Sequence, residues 1–253
     1  MIKKSYAKVN IFLKIAGRRE NYHELVSRFV RVHSLYDLIK IEKKVCDEFT
    51  LVGNFGCETK KNTIYKAYMI LKEESPKVEE YFKKNCVIVE KHIPEFAGLG
   101  GGSSNCATFM IMVNELCNLN LSKDELAKLA ITIGADVPFF IYEYNSANVT
   151  GIGEIVEKYE EEVLDIETIT PQIKCNTGEI FKVFRNKFYK EIDEEDKKKL
   201  LSLNSKQILN ILDINRANDL YEAAKDVYKD LNKYEKQNWY FSGSGSSFFK
   251  VKK

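Results

Sequence analysis

The residues best suited to chemistry in this 253-residue chain lie in one string, Pro94-Glu95-Phe96-Ala97-Gly98-Leu99-Gly100-Gly101-Gly102-Ser103-Ser104-Asn105. It runs straight into an apolar stretch, Cys106-Ala107-Thr108-Phe109-Met110-Ile111-Met112-Val113. Glycines carry no Cβ, so their N–H groups can approach a ligand closely. The apolar stretch predicts a buried helix, and the first N–H groups of a helix have no partners within it. Together these features form a site for an anion, phosphate above all. The string is not a Walker A loop, which needs lysine after its last glycine; Ser103 follows Gly102 here. Nor does the chain contain the His-Arg-Asp or Asp-Phe-Gly tripeptides of protein kinases. A Rossmann fingerprint expects an acid roughly 20 residues further on. Asp124 lies near that distance, but Ser122-Lys123-Asp124-Glu125 reads more simply as a helix-capping box. The alternative reading of the string is a glycine turn packed on a helix with no ligand.

Several elements must hold this loop. Between residues 5 and 15, Ala7, Val9, Ile11, Leu13 and Ile15 alternate with Lys8, Asn10, Phe12 and Lys14, which predicts a half-buried strand with Lys8 and Asn10 on its polar face. Gly17 to Asn21 reads as a turn, and residues 29–32 and 37–41 as two further strands. Asn62 is a good N-cap for a helix ending near Ser75-Pro76. A β-rich run at residues 86–91 leads into the glycine loop. After the capping box, Gly134 stops a helix and Pro138 predicts an extended Val137. Gly151 to Glu154 is a second glycine turn, and Asp193 to Lys199 a solvated helix start. Helical spacing is present from Asn218 to Leu231. Ser242-Gly243-Ser244-Gly245-Ser246 separates two aromatic runs, as the tip of a hairpin would.

Composition narrows the classes of function. The chain is 44% hydrophobic and 30% charged, which suits a globular protein with a real core. With 39 basic and 37 acidic residues the net charge is +2, too balanced for a nucleic-acid or membrane-surface partner. The six cysteines form no Cys-x-x-Cys pair and the three histidines do not cluster, which argues against zinc. No signal-type stretch follows Met1, and no apolar run reaches the roughly 18 residues of a membrane span. A cytoplasmic protein is expected. A change of texture near residue 155 suggests two domains, 1–155 and 156–253.

The string Pro-x-x-x-Gly-Leu-Gly-Gly-Gly-Ser-Ser resembles the phosphate-binding signature of the GHMP kinases, the superfamily of galactokinase, homoserine kinase and mevalonate kinase. Other segments match one branch of it in order: Ala7-Lys8-Val9-Asn10-Ile11-Phe12-Leu13, Gly17-Arg18-Arg19, Tyr22-His23-Glu24-Leu25, Gly134-Ala135-Asp136-Val137-Pro138, Gly151-Ile152-Gly153-Glu154 and Ser242-Gly243-Ser244-Gly245. That branch phosphorylates the 2-hydroxyl of a cytidine-diphosphate-linked methylerythritol in non-mevalonate isoprenoid precursor biosynthesis. The resemblance implies an α+β fold of two domains, a ribosomal S5 domain 2-like N-terminal half that binds ATP and a ferredoxin-like C-terminal half. It implies that Asp136 takes the proton of the substrate hydroxyl, with Lys8 beside it. A carboxylate in reach of an alcohol acts as general base, and a nearby ammonium keeps it ionised. It implies that residues 94–104 and Asn62 bind ATP, with Mg²⁺ as the companion ion and no metal ligands assigned. Ser103 and Ser104 are expected to donate to phosphate or to hold Mg²⁺ through water. Asn10, Tyr22, His23 and Thr177 are implied on the substrate side, Tyr22 and His23 against the cytosine.

The bland readings stay open beside these. Asp136 could only cap a helix, Lys8 could be solvated, Asn62 is explained equally well as a cap, and Thr177 as turn chemistry. A kinase of another small alcohol, or a non-enzymatic nucleotide- or RNA-binding module, are the rival functions. The chain also departs from the branch. Glu20-Asn21 replaces Asp-Gly, although asparagine tolerates the left-handed backbone such a turn needs. Asn105 stands where many members carry aspartate, which would remove a metal-directed charge. The C-terminus ends soon after Phe249, so a smaller second sheet is expected. Its exposed edge suits a monomer or a weak homodimer.

Overall fold

A computed structural model describes residues 1–20 and 22–252. Asn21, and with it the left-handed turn residue expected there, lies outside the described residues, as does Lys253. The chain forms two compact units: Met1–Ala7, Leu35–Ile93 and Gly101–Glu143 make the first, and Lys8–Ser34, Pro94–Gly100 and Tyr144–Lys253 the second. Two long strands, β1 (Ile2–Arg19) and β2 (Tyr22–Lys43), each contribute to both.

In the first unit the end of β2 pairs antiparallel with β4 (Asn85–Glu90), from Leu38 opposite Glu90 to Lys43 opposite Asn85. A short β3 (Leu51–Gly53) joins β4 in parallel. The helices are α1 (Thr63–Glu74), α2 (Pro76–Phe82), α3 (Gly101–Leu116), α4 (Lys123–Ala130) and α5 (Val137–Tyr142). Nine residues of α3 are buried, and α1 and α5 pack against it. A helix apolar on all sides must be central to its core. Beside it Phe49 stacks on Tyr68 at 4.1 Å between ring centroids and meets Phe82 and Phe109 edge-on. The expected capping box is present at Ser122 and Glu125.

In the second unit the start of β2 pairs antiparallel with β5 (Ser146–Gly151), and β5 with β6 (Ile155–Lys158) through the expected glycine turn. A separate three-stranded antiparallel sheet has the order β7 (Ile166–Ile169), β9 (Phe248–Val251), β8 (Tyr240–Phe241). The helices are α6 (Thr177–Val183), α7 (Glu194–Ser202), α8 (Ser205–Ile211), α9 (Ile214–Ala217) and α10 (Tyr221–Val227). Leu13, Ile15, Phe184, Leu220, Tyr221, Phe241 and Phe248 share its core. Ser242 to Ser247 connects β8 to β9 as a hairpin tip.

Four local expectations need correction. The polar face of β1 is not solvated: residues 7–13 are buried without interruption, so Lys8 and Asn10 lie inside. Alternation identifies two faces but not whether the second is covered. The strands expected at 29–32 and 37–41 are one strand, and β1 continues through Arg19 before the chain turns at Glu20. Val137 is the first helical residue of α5 rather than extended; the clash of a proline with its predecessor disfavours helix without forbidding it, and here Pro138 sits in the first turn, where its missing N–H costs nothing. Asn218 stands outside the helix, paired with Leu13 of β1; α10 spans Tyr221–Val227, and a 3-10 helix at Lys229–Tyr234 carries Leu231.

Candidate active site

The glycine loop needs a backbone that most residues resist. Phe96, Gly98 and Gly100 have φ of 57°, 76° and 70°, in the left-handed region. Glycine adopts it at no cost, and Phe96 is the strained exception. Ala97 and Leu99 point inward, while Pro94, Glu95 and Phe96 face solvent. The Leu99 carbonyl accepts the Lys8 N–H at 2.9 Å, which ties the loop to β1.

Residues 97–98 are held by backbone laid on backbone. The Ser247 N–H donates to the Ala97 carbonyl at 3.1 Å, and Ser242 Oγ donates to the Gly98 carbonyl at 3.1 Å. A Cβ on Gly98 would lie 2.1 Å from the Ser242 carbonyl oxygen, and one on Gly245 would lie 1.8 Å from the Gly98 nitrogen. Neither position admits a side chain. The hairpin tip is therefore a clasp on the glycine loop, not a free turn.

In the same unit Lys8 Nζ donates to Asn10 Oδ1 at 2.7 Å and lies 4.4 Å from the centre of the Phe29 ring. Asn10 Nδ2 donates to Ser27 Oγ at 2.9 Å, and Ser27 Oγ donates to the Phe12 carbonyl at 2.5 Å. Both side chains are thus locked by a buried chain of hydrogen bonds, with Lys8 only 3% exposed. Solvated lysine is excluded as its description. Tyr22 is 62% exposed, whereas His23 is buried and stacks on Phe181 at 5.2 Å. Burial, then the nearby Arg185 and Arg18, lowers the pKa of His23 below its ordinary 6.5, so the ring is neutral at pH 7. Its Nε2 is enclosed without a hydrogen-bond partner. Thr177 opens α6, with its Oγ1 2.8 Å from Ser244 Oγ on the clasp.

The rest of the loop belongs to the first unit, where α3 begins at Gly101. Its hold is a buried polar network centred on Asp37, which is fully enclosed. Asp37 Oδ1 accepts the His92 and Ile93 N–H groups at 2.6 and 2.8 Å; Oδ2 accepts Asn105 Nδ2 at 2.8 Å and Lys91 Nζ. Asn105 Nδ2 also donates to Ser5 Oγ at 2.9 Å, and Ser5 Oγ lies 2.7 Å from Ser104 Oγ. The network grips the chain just before Pro94 and again at the first turn of α3. Asn105 is therefore turned inward, into the Asp37 network. With the hydroxyl of Ser104 engaged with Ser5, Ser103 carries the half-buried hydroxyl at the start of α3.

Thr63 Oγ1 donates to the Gly102 carbonyl at 2.7 Å, and Asn62 caps α1 by accepting the Ile64 N–H at 2.9 Å. Asp136 occupies the N-cap position of α5 but makes no side-chain capping hydrogen bond, so capping does not account for it. A Cβ on Gly134 would lie 3.9 Å from Ser103 Oγ, so the segment that carries Asp136 runs beside the start of α3. The first unit thus gathers Asn62, Gly101 to Ser104 and Asp136, and the second gathers Lys8, Asn10, Tyr22, His23, Pro94 to Gly100 and Thr177. Among the described residues no three His, Cys, Asp or Glu side chains group as metal ligands do.

Sequence reasoning missed Asp37, Lys91 and Asn218. A signal for Asp37 exists: it shares strand parity with Ile39 and Ile41, both buried, so an acid there must be enclosed. Asn218 has no such signal, because its partners lie 23 and 25 residues on and across the unit on β1.

Comparison with known proteins identifies the family. Residues 62–144 match the family model described as the GHMP kinases N terminal domain. A 4-diphosphocytidyl-2-C-methyl-D-erythritol kinase of Sulfurimonas denitrificans is 51% identical over 255 residues, covering 98% of this chain and 96% of the relative. One from Campylobacter jejuni is 39% identical over 98% of this chain and 99% of its own. A crystal structure of 4-(cytidine 5'-diphospho)-2C-methyl-D-erythritol kinase superposes with a TM-score of 0.76 at 27% identity, covering 99% of this chain and 90% of that one. The mevalonate kinase of Methanococcus jannaschii shares the fold, with a TM-score of 0.59 at 16% identity. With half its residues identical to a relative across nearly the whole of both chains, and with the glycine loop built as described, the protein belongs to the 4-diphosphocytidyl-2-C-methyl-D-erythritol kinase family of GHMP kinases.

Proposed function

We propose that the protein transfers the γ-phosphoryl group of ATP to the 2-hydroxyl of 4-diphosphocytidyl-2-C-methyl-D-erythritol, giving the 2-phosphate and ADP in non-mevalonate isoprenoid precursor biosynthesis. The observation that carries this reading is full-length similarity to relatives of that name, with every signature segment in order. The N–H groups of residues 98–104 hold the phosphates at the start of α3. The substrate hydroxyl gives its proton to Asp136 as its oxygen bonds to the γ-phosphorus, and the bond from that phosphorus to the β–γ bridging oxygen breaks. Lys8, held by Asn10, stabilises charge on the attacking oxygen. Asn10 and Thr177 line the substrate side, and Tyr22 offers an exposed ring to the cytosine, with the buried His23 beside it in sequence on the same side.

Mg²⁺ neutralises phosphate charge when bound. It keeps several waters and takes few protein ligands. That chemistry suits a protein site offering the Ser103 hydroxyl and no three-residue acidic cluster among the described residues. In this reading residues 1–155 form the ATP-binding domain and 156–253 the second domain, and the protein works in the cytoplasm as a monomer or weak homodimer. Among the described residues no helix is long and apolar enough to cross a membrane.

The test is ³¹P NMR with ATP and the cytidyl substrate, run against homoserine and mevalonate. The expected result is a new phosphomonoester on the 2-oxygen of the cytidyl substrate alone; equal turnover of the other alcohols overturns the assignment. Asp136→Ala is expected to lower turnover by about 10²–10⁴-fold while nucleotide still binds.

A further inference from the structure

Asn218 is almost completely buried and belongs to no helix or strand. Its side chain spends every polar group it has. Nδ2 donates to the Gly243 carbonyl at 2.8 Å and to the Phe241 carbonyl at 3.2 Å, while Oδ1 accepts the Leu220 N–H at 2.9 Å. Its backbone bridges to Leu13 of β1, and the next N–H, of Asp219, donates to the Leu13 carbonyl at 2.9 Å. Asp219 then accepts the Ile15 N–H at 3.0 Å and pairs with Lys14. Two consecutive residues therefore fasten the strand that carries Lys8 and Asn10 to the tip that clasps the phosphate loop.

The held carbonyl is the one that matters. Gly243 is left-handed, at φ 61°, and a Cβ there would lie 3.2 Å from the Gly98 carbonyl oxygen and 3.3 Å from Asn10 Oδ1. The turn approaches both at once, and its flanks, Ser242 and Gly245, make the contacts that confine Gly98. A glycine-serine tip has high conformational entropy when free, so something must choose this one shape. We infer that Asn218 is a positioning residue for the phosphate loop: its amide fixes the Ser242–Gly245 turn in the form that clasps Gly98 and flanks Asn10. It touches neither the loop nor any reactant itself. The inference rests on the proposal that the loop binds ATP.

The test uses the full-length protein and a fluorescent ATP analogue. Asn218→Ser keeps a side-chain oxygen able to cap Leu220 and loses both donors to the turn. The expected result is about tenfold weaker nucleotide binding, the size of one lost hydrogen bond that orders the site. Faster hydrogen exchange at the Ser242 and Ser247 amides should accompany it. Tyr159→Phe, which removes a bond to the Ser202 carbonyl in the same unit, should leave affinity unchanged. Wild-type affinity in Asn218→Ser, or equal weakening in Tyr159→Phe, overturns the inference. Should Asn218→Ser fail to fold, Ser242→Ala deletes only the Oγ bond to Gly98, and weaker nucleotide binding is again expected, with unchanged binding overturning the inference. A wild-type protein that binds no nucleotide at all refutes the functional reading instead.

Discussion

The two ends of the glycine loop are neighbours in sequence but are held by opposite physical means. Residues 97–98 are gripped by main chain: carbonyls and N–H groups of residues 242–247 lie so close that a methyl group fits at neither Gly98 nor Gly245. Residues 104–105 are gripped by side chains: a buried carboxylate, an ammonium, an amide and two hydroxyls share one network around Asp37. The first device depends on shape, and its cost is the conformational freedom of glycine. The second depends on charge, and it holds only while every buried group keeps its partner. A phosphate loop needs both. Its left-handed residues require glycine-grade freedom, and the helix start that follows needs a rigid seat.

Breaking the charged end should have the largest effect on stability. Asp37→Ala takes one acceptor from Lys91 and from Asn105 and strips the His92 and Ile93 N–H groups of theirs, and a broken buried pair costs about 3–5 kcal/mol. Urea unfolding would measure it, and a loss below 1 kcal/mol would show that the network does not seat α3. The same variant should expose Cys106, which is buried in α3 and whose thiol is held far above its ordinary pKa by burial. A thiol reagent followed by mass spectrometry is expected to label exposed Cys57 in the native protein, and Cys106 only after Asp37→Ala.

Breaking the shape-dependent end should cost less stability and proportionally more function. Gly245→Ala forces the tip off Gly98, an overpacking worth about 1–3 kcal/mol. Turnover should fall about 10²-fold, the penalty for a misplacement near 1 Å at a reactive site. Equal stability loss in Gly245→Ala and Asp37→Ala would erase the distinction between the two ends. Ser5→Ala sharpens it from the other side. Removing one member of the network should cost about 1 kcal/mol with little change in turnover, because Asp37 still holds the loop's entry.

Acid separates the two regions least. The unfolded chain takes up the His23 proton near pH 6.5, before the folded chain with its lowered pKa does. The stability held by neutral His23 is therefore complete above pH 6.5 and declines as pH falls toward the folded value. Urea midpoints at pH 7.5 and 5.5 should draw closer together in His23→Gln than in the parent. An unchanged gap would mean that the ring titrates normally.

Much of the fold was legible because it depends on short-range rules. Asn62, Ser122 and Asp193 cap helices as their types demand, and the apolar run after Asn105 forms α3, with nine buried residues. The glycine string was legible as a loop feeding a buried helix through composition alone. The readings of Lys8, His23 and Asn105 needed more. Alternation left Lys8 on a polar face, and only the layer covering that face makes it a buried, positioned ammonium. His23 was expected on the substrate side, and only the fold shows Phe181 and Phe184 packed against its ring. Asn105 gave no sign in the sequence that Asp37, 68 residues earlier, is its partner.

Taken alone, the chain determined which backbone could bend at residues 96–100, which segments would be helix or strand, and which family's chemistry its motifs encode. Those are consequences of φ preferences, capping and periodicity, which act over a few residues. The tertiary structure decided what holds the loop at each end, because a hydrogen bond between Asn218 and Gly243 or between Asp37 and Asn105 exists only once distant segments are packed together. Burial gives such bonds their strength, and burial belongs to the folded molecule rather than to any segment of it.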